Sequence, residues 1–191
     1  MASPRGYLDS TLTGWLGELA QTRGAPGGGS ALAFAVASAA SVLAMAARVS
    51  EAAGFAVQAD ALCARAAPLV QLDADTYDAA LAIRDATEEL KVEQRDWEIG
   101  RAFARAAEPP LEIGRIAADV ADLAAQLAES GDPRVRADAI AAAALAAGAA
   151  DGAVALVAVN LTAVDGDPRV AEARELAENA RRSATRAAAT G

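Results

Sequence analysis

Five consecutive residues, Pro26-Gly27-Gly28-Gly29-Ser30, place a fixed φ, three residues without side chains and a hydroxyl directly before a long alanine-rich segment. The first N–H groups of a helix have no partner inside it, and glycines there let a ligand reach them. The turn is therefore a candidate binding site at a helix N-terminus. It lacks the G-x-x-x-x-G-K-[ST] pattern of a phosphate loop and the glycine fingerprint of a dinucleotide site. An interhelical loop, with Ser30 as an ordinary N-cap, is the alternative reading. Pro26 speaks against mere flexibility, because it restrains the chain entering the glycines.

Carboxylates are the second source of chemistry. In Leu72-Asp73-Ala74-Asp75-Thr76-Tyr77-Asp78, Asp75 and Asp78 are spaced to share a helix face, while Asp73 points elsewhere. A solvated face is the ordinary fate of any one of them. Asp138 differs, because it heads the apolar run Ala139-Ile140-Ala141-Ala142-Ala143-Ala144. A charge entering such a run must face water, a cavity or a partner. Asn160, between Val159 and Leu161, is an amide in apolar company that needs either an interhelical hydrogen bond or a ligand. Asp138 and Asn160 are 22 positions apart. One straight helix would separate them by about 33 Å along its axis. A site using both would need two subunits with antiparallel helices.

Composition narrows the chemistry further. The chain has no histidine and a single cysteine, Cys63. A zinc site, a histidine base and an intrachain disulfide are not expected, so catalysis would rest on carboxylates, amides, hydroxyls, backbone groups and arginine, without metal. With 17 basic and 26 acidic residues the net charge is −9, which repels phosphate backbones and makes nucleic acid an unexpected partner. The opening residues lack the apolar core of a signal peptide. Residues 31–47 and 139–164 resemble membrane spans in length, but alanine drives insertion weakly. Buried bundle helices, no membrane and a cytoplasmic location are the expectation.

These groups must be carried by helices. The sequence is 54% hydrophobic but 4% aromatic, and roughly three residues in ten are alanine. Alanine loses no side-chain entropy in a helix, and its small size demands close helix packing. The expected fold is all-α: one domain over residues 1–191, a bundle of about seven or eight helices with long alanine-rich central helices. Thr11 precedes Leu12, Trp15, Leu16 and Leu19 in helical register. Ser30 is expected to cap a second helix reaching about Glu51, with a break at Gly54. Pro68 should kink or divide the run from about Ala56 to Glu89. Further helices are expected at about 96–107, 110–129, 134–162 and 169–187, punctuated by Pro109-Pro110, Gly131-Asp132-Pro133 and Asp165-Gly166-Asp167-Pro168. Gly148 and Gly152, four apart, would permit a close helix approach.

In order along nearly the whole chain, these residues resemble the cyclodeaminase/cyclohydrolase family, known as the C-terminal domain of formiminotransferase-cyclodeaminase and as a free-standing bacterial protein. The resemblance runs through Thr11, Trp15-Leu16 and Leu19-Ala20, then Pro26-Gly27-Gly28-Gly29-Ser30, its most specific element. Asp73-Ala74-Asp75-Thr76-Tyr77, Pro110-Leu111-Glu112, Gly131-Asp132-Pro133, Ala137-Asp138-Ala139 and Val159-Asn160-Leu161 follow. It implies a homodimer, and a site for the one-carbon bridge between N5 and N10 of tetrahydrofolate. The activity implied is 5-formimino-tetrahydrofolate cyclodeaminase or 5,10-methenyl-tetrahydrofolate cyclohydrolase. No cofactor is implied beyond the folate substrate itself. By the same resemblance Asp138 and Asp75 take acid/base or orienting roles, and Pro26, Gly27, Gly28, Gly29, Ser30 and Asn160 bind substrate. The chain departs from the family in three places: residues 51–58 lack a lysine-rich, tyrosine-containing stretch, Leu156 stands where Asn is common, and Thr162 where Lys is common. An inactive folate-binding or structural helical dimer is the alternative these departures leave open.

Overall fold

Alanine sets the spacing of the bundle. In a computed structural model describing residues 6–22, 25–162 and 166–191, eight α-helices and no strand occur among the described residues. They are α1 (Leu12–Leu19), α2 (Gly28–Val49), α3 (Ala53–Ala66), α4 (Leu69–Ala86), α5 (Val92–Ala106), α6 (Glu108–Ser130), α7 (Arg136–Asn160) and α8 (Pro168–Ala188). The expected all-α bundle is what forms. The first five residues, Arg23-Gly24 and residues 163–165 lie outside the described set, and with them the opening of the expected signal-free terminus and Asp165.

The helix ends follow local chemistry. Thr11 caps α1 by accepting from the Gly14 N–H at 3.1 Å. Asp132-Pro133-Arg134 and Asp167-Pro168-Arg169 use one device twice. Each aspartate accepts from the arginine backbone N–H, at 2.8 and 2.9 Å, and pairs with the same arginine's side chain. Hydrogen bonds from Arg169 hold the Asp167 carboxyl down at about 2. Pro68 divides the third helical run outright: α3 ends at Ala66 and α4 starts at Leu69. The break after α2 falls at residues 50–52, and Gly54 lies inside the first turn of α3.

That break has an unusual residue at its corner. Ala52 N–H returns to the Ala47 carbonyl at 2.9 Å and Glu51 N–H to Arg48 at 3.1 Å. This pair of bonds closes a helix through a left-handed residue, a position that glycine normally fills. Here it is Glu51, at φ 55°.

In the core, α7 runs antiparallel to α2, α6 and α8. Gly152 of α7 faces Leu32 of α2, Ser50 at the end of α2 accepts from Asp132 N–H before α7, and Arg136 at the start of α7 reaches the Thr190 carbonyl after α8. Ala33, Ala39, Ala40, Ala46, Ala142, Ala143 and Ala146 are fully buried. At Gly152 an added Cβ would come within 2.8 Å of the Leu32 side chain, so this glycine makes the close approach its spacing predicts. Gly148 has no atom within 4 Å of such a Cβ and faces outward. Helices α2 and α7 are long and apolar enough to cross a membrane, yet each buries about half of its most apolar window inside the bundle. The bundle has two ends: one gathers the starts of α2, α6 and α8 with the end of α7, and the other gathers their opposites.

Left-handed φ costs a non-glycine residue roughly 1–2 kcal/mol. Glu51→Gly should therefore stabilise the chain by about 1 kcal/mol, read as a higher urea midpoint with unchanged slope.

Candidate functional site

Five elements converge at the first of these ends. The turn at Ala25, Gly27, Gly28 and Gly29 forms one wall, and α4 contributes Asp73 and Tyr77, four residues apart on one face. Phe103 comes from α5, Pro110 from the first turn of α6, and Leu156, Val159 and Asn160 from the last turns of α7. They enclose a cavity of about 260 Å³. The Tyr77 and Phe103 rings meet edge to face, with centroids 6.2 Å apart.

The glycine turn shapes this site through Asp73. Gly27 is the N-cap of α2 and has no side chain with which to cap. Ser30, expected at the cap, lies instead in the first turn of the helix, fully buried. Its hydroxyl donates to Asp73 Oδ2 at 3.5 Å, and its backbone N–H also bonds that carboxylate. Asp73 thus does from 43 residues away what an N-cap side chain does locally. The approach requires glycine, since a Cβ on Gly29 would overlap the Asp73 carboxylate.

Burial dominates the titration of Asp73. With 8% of its surface exposed, desolvation pushes the carboxyl up to about 6, and the two hydrogen bonds from Ser30 pull the other way without cancelling it. A group titrating there can both take and give a proton near neutral pH.

Asn160 makes the interhelical hydrogen bond that is one of its two expected fates. Its Nδ2 donates to the Ala106 carbonyl at 3.0 Å, tying the end of α7 to the end of α5. The side chain also lines the cavity, and no described residue donates to its Oδ1. Arg169 fastens the same part of α5 by donating to the Ala104 carbonyl at 2.9 Å.

The remaining sequence candidates lie elsewhere. Pro26 is buried in the turn leading into the glycines. Asp75 is exposed and accepts from Gln71 Nε2 at 2.8 Å, outside the cavity. Asp138 lies in the first turn of α7, at the opposite end of the bundle from Asn160. Residues 51–58 are also at that far end, beyond the 22 residues of α2 and so about 33 Å from the glycines. Within one chain their lack of lysines leaves the cavity untouched. Thr162 is exposed and bonds the Val159 carbonyl, whereas Leu156 lines the cavity, 3.8 Å from where a Gly28 Cβ would be. Asp73 is the carboxylate that the sequence reading left without a role. Its signal was there, in a face distinct from that of Asp75 and Asp78.

An all-helical bundle with a carboxylate set over a glycine-opened helix defines a class, and the comparisons agree with it. A sequence profile of the formiminotransferase-cyclodeaminase family matches residues 11–180. The chain belongs to that family. A solved structure of formiminotetrahydrofolate cyclodeaminase from Thermotoga maritima superposes with a TM-score of 0.85, covering 96% of each chain at 18% identity. No curated protein sequence matches the chain significantly.

Because the folded-state value of about 6 lies above the ordinary 3.8, Asp73 costs nothing below pH 4, and its cost grows as pH rises from about 4 to 6. The full cost is about 3 kcal/mol. Asp73→Asn removes this titration. Its stability relative to the native chain should improve by up to that amount between pH 4 and pH 7 in urea unfolding. A difference independent of pH would show that Asp73 does not titrate in this window.

Proposed function

We propose that this chain is a folate one-carbon enzyme, acting at the bridge between N5 and N10 of tetrahydrofolate as a cyclodeaminase or a cyclohydrolase. The observation that carries the reading is a carboxyl titrating at about 6 on the wall of an aromatic-lined cavity. The cavity lies below the roughly 300–1,000 Å³ usual for whole drug-sized ligands. It suits the ring end of a folate, with the glutamyl tail outside.

In cyclodeamination N10 attacks the carbon of the formimino group, which enters protonated as an amidinium, N10 loses its proton, and the carbon–nitrogen bond to the departing NH2 group breaks as that nitrogen gains a proton. Ionised Asp73 can accept the first proton and supply the second, so ammonia leaves and the methenyl bridge remains. In hydrolysis the same carboxylate would take a proton from the water attacking the methenyl carbon and return it to N5 as the N5–carbon bond breaks, with the hydroxyl proton passing to solvent as the 10-formyl group forms. Neither route asks more of the chain than one relay group and a shaped, partly dry cavity. In this account Asp73 is the catalytic residue, and the Gly27–Gly29 backbone and Asn160 orient the ring.

Purified protein should release ammonia from 5-formimino-tetrahydrofolate or accelerate loss of the methenyl chromophore. Asp73→Asn should lower that rate by about a hundredfold or more while keeping the helical circular-dichroism signal. Asp73 is the one carboxylate among the described residues lining the cavity. This favours, as the second reading, a folate-binding protein without turnover, which saturable folate binding by a protein inert in both assays would establish.

A homodimer belongs to the same proposal. Leu145 and Val159 of α7 are 48% and 60% exposed, on a face with Ala141, Ala144 and Gly148. Gly148 lies about midway between Asp138 and Asn160, so antiparallel pairing of two α7 helices there would carry each Asp138 toward the other chain's cavity. The native chain should sediment as a dimer at micromolar concentration and Leu145→Glu as a monomer. A monomeric native chain would overturn the pairing.

A further inference from the structure

A bare helix N-terminus attracts anions, but this one does not stand bare. The aligned peptide dipoles place roughly half a positive charge at the start of a helix. The Asp73 carboxylate rests on Gly29 and Ser30 at that point, and when ionised it brings a full negative charge. The sum is negative. Other described groups of the wall favour the same sign. Nδ2 of Asn160 faces the Ala106 carbonyl, which can only accept, and this orientation fixes Oδ1 as an acceptor to which no described residue donates. Tyr77 and Phe103 supply π-systems, whose faces carry negative potential. No lysine or arginine is among the described residues lining the cavity, and Arg169, the nearest tether of α5, is already paired with Asp167 and Glu108.

We propose that the cavity selects a planar, delocalised monocation, an amidinium or iminium with its charge spread over N–C–N, and excludes carboxylates and phosphates. Its polar edge would face Asp73 and Asn160 Oδ1, and its flat surface Tyr77 or Phe103. The inference rests on the folate reading only in identifying the one-carbon bridge as that cation; the charge preference follows from the wall itself. A folate would then enter bridge first, with its anionic tail held away from Asp73. Asp73 becomes the residue that sets substrate charge as well as the one that relays protons.

The test uses probes that are not folates. Benzamidinium, benzamide and benzoate share a ring and differ in charge. At pH 8 the native protein should bind benzamidinium about tenfold more tightly than benzamide by ligand-observed NMR, with no saturable binding of benzoate. In Asp73→Asn the first ratio should fall to about threefold or less. Equal binding of benzamide and benzamidinium, or a preference unchanged in Asp73→Asn, overturns the proposal. Should that variant not fold, the ranking in the native protein decides alone. A parallel measurement with the 5,10-methenyl-tetrahydrofolate cation and neutral-bridged 5-formyl-tetrahydrofolate separates the two ideas. Folates bound alike whatever the bridge charge would sink the charge preference and leave the folate reading. A benzamidinium preference with no folate binding would do the reverse.

Discussion

The Asp73 carboxylate, carried on α4, closes the N-terminus of α2, and much of the molecule is arranged around that contact. It requires glycine at position 29, because any Cβ there would occupy the carboxylate's place. It explains why Gly27 can serve as an N-cap with no side chain, since the hydrogen bond to Ser30 N–H comes from another helix. It also locks α4 against α2, which brings Tyr77, one turn beyond Asp73, onto the wall of the cavity. The same burial that makes the contact raises the carboxyl into the range of neutral proton transfer. Structure and chemistry here share one group.

Around that contact the bundle is held by many small gains. Alanine buries little area per residue, so the core depends on close approach over long helices, as where Gly152 admits Leu32. Most of its ion pairs among the described residues lie at the surface, such as Arg115–Glu172 and Arg186–Asp122 between α6 and α8. Exposed pairs of this kind contribute little individually. The polar ties that matter for the site are the side-chain bonds to backbone at its edge. Asn160 and Arg169 hold the Ala106 and Ala104 carbonyls and so fix the end of α5 from which Phe103 reaches the cavity.

The contrast between Asp73, Asp75 and Asp138 shows how far the site could be read in advance. Helical spacing separated Asp73 from the face of Asp75 and Asp78, and the structure keeps that separation, with Asp73 buried and the other two exposed. What spacing could not supply was the direction in which either face looked. Asp138, conspicuous in its alanine run, proves to be about 33 Å from Asn160 on the one continuous helix that the pattern predicted. Asn160 was legible because an amide between Val and Leu needs a partner, and its Nδ2 has one in the Ala106 carbonyl.

Local chemistry in the sequence determined the helices, their order and most of their ends. Alanine content, the three prolines at Pro68, Pro109 and Pro110, and the two Asp-Pro-Arg stops act over a few residues and need no distant partner. The glycine turn was likewise visible as the opening of α2. Tertiary structure alone decided what that opening faces. Ser30 and Asp73 are 43 residues apart, and their meeting depends on the rotation of α4 against α2, which packing of the whole bundle sets. The physical reason is burial: a carboxylate becomes a tuned, charge-selecting group only where other helices remove its water.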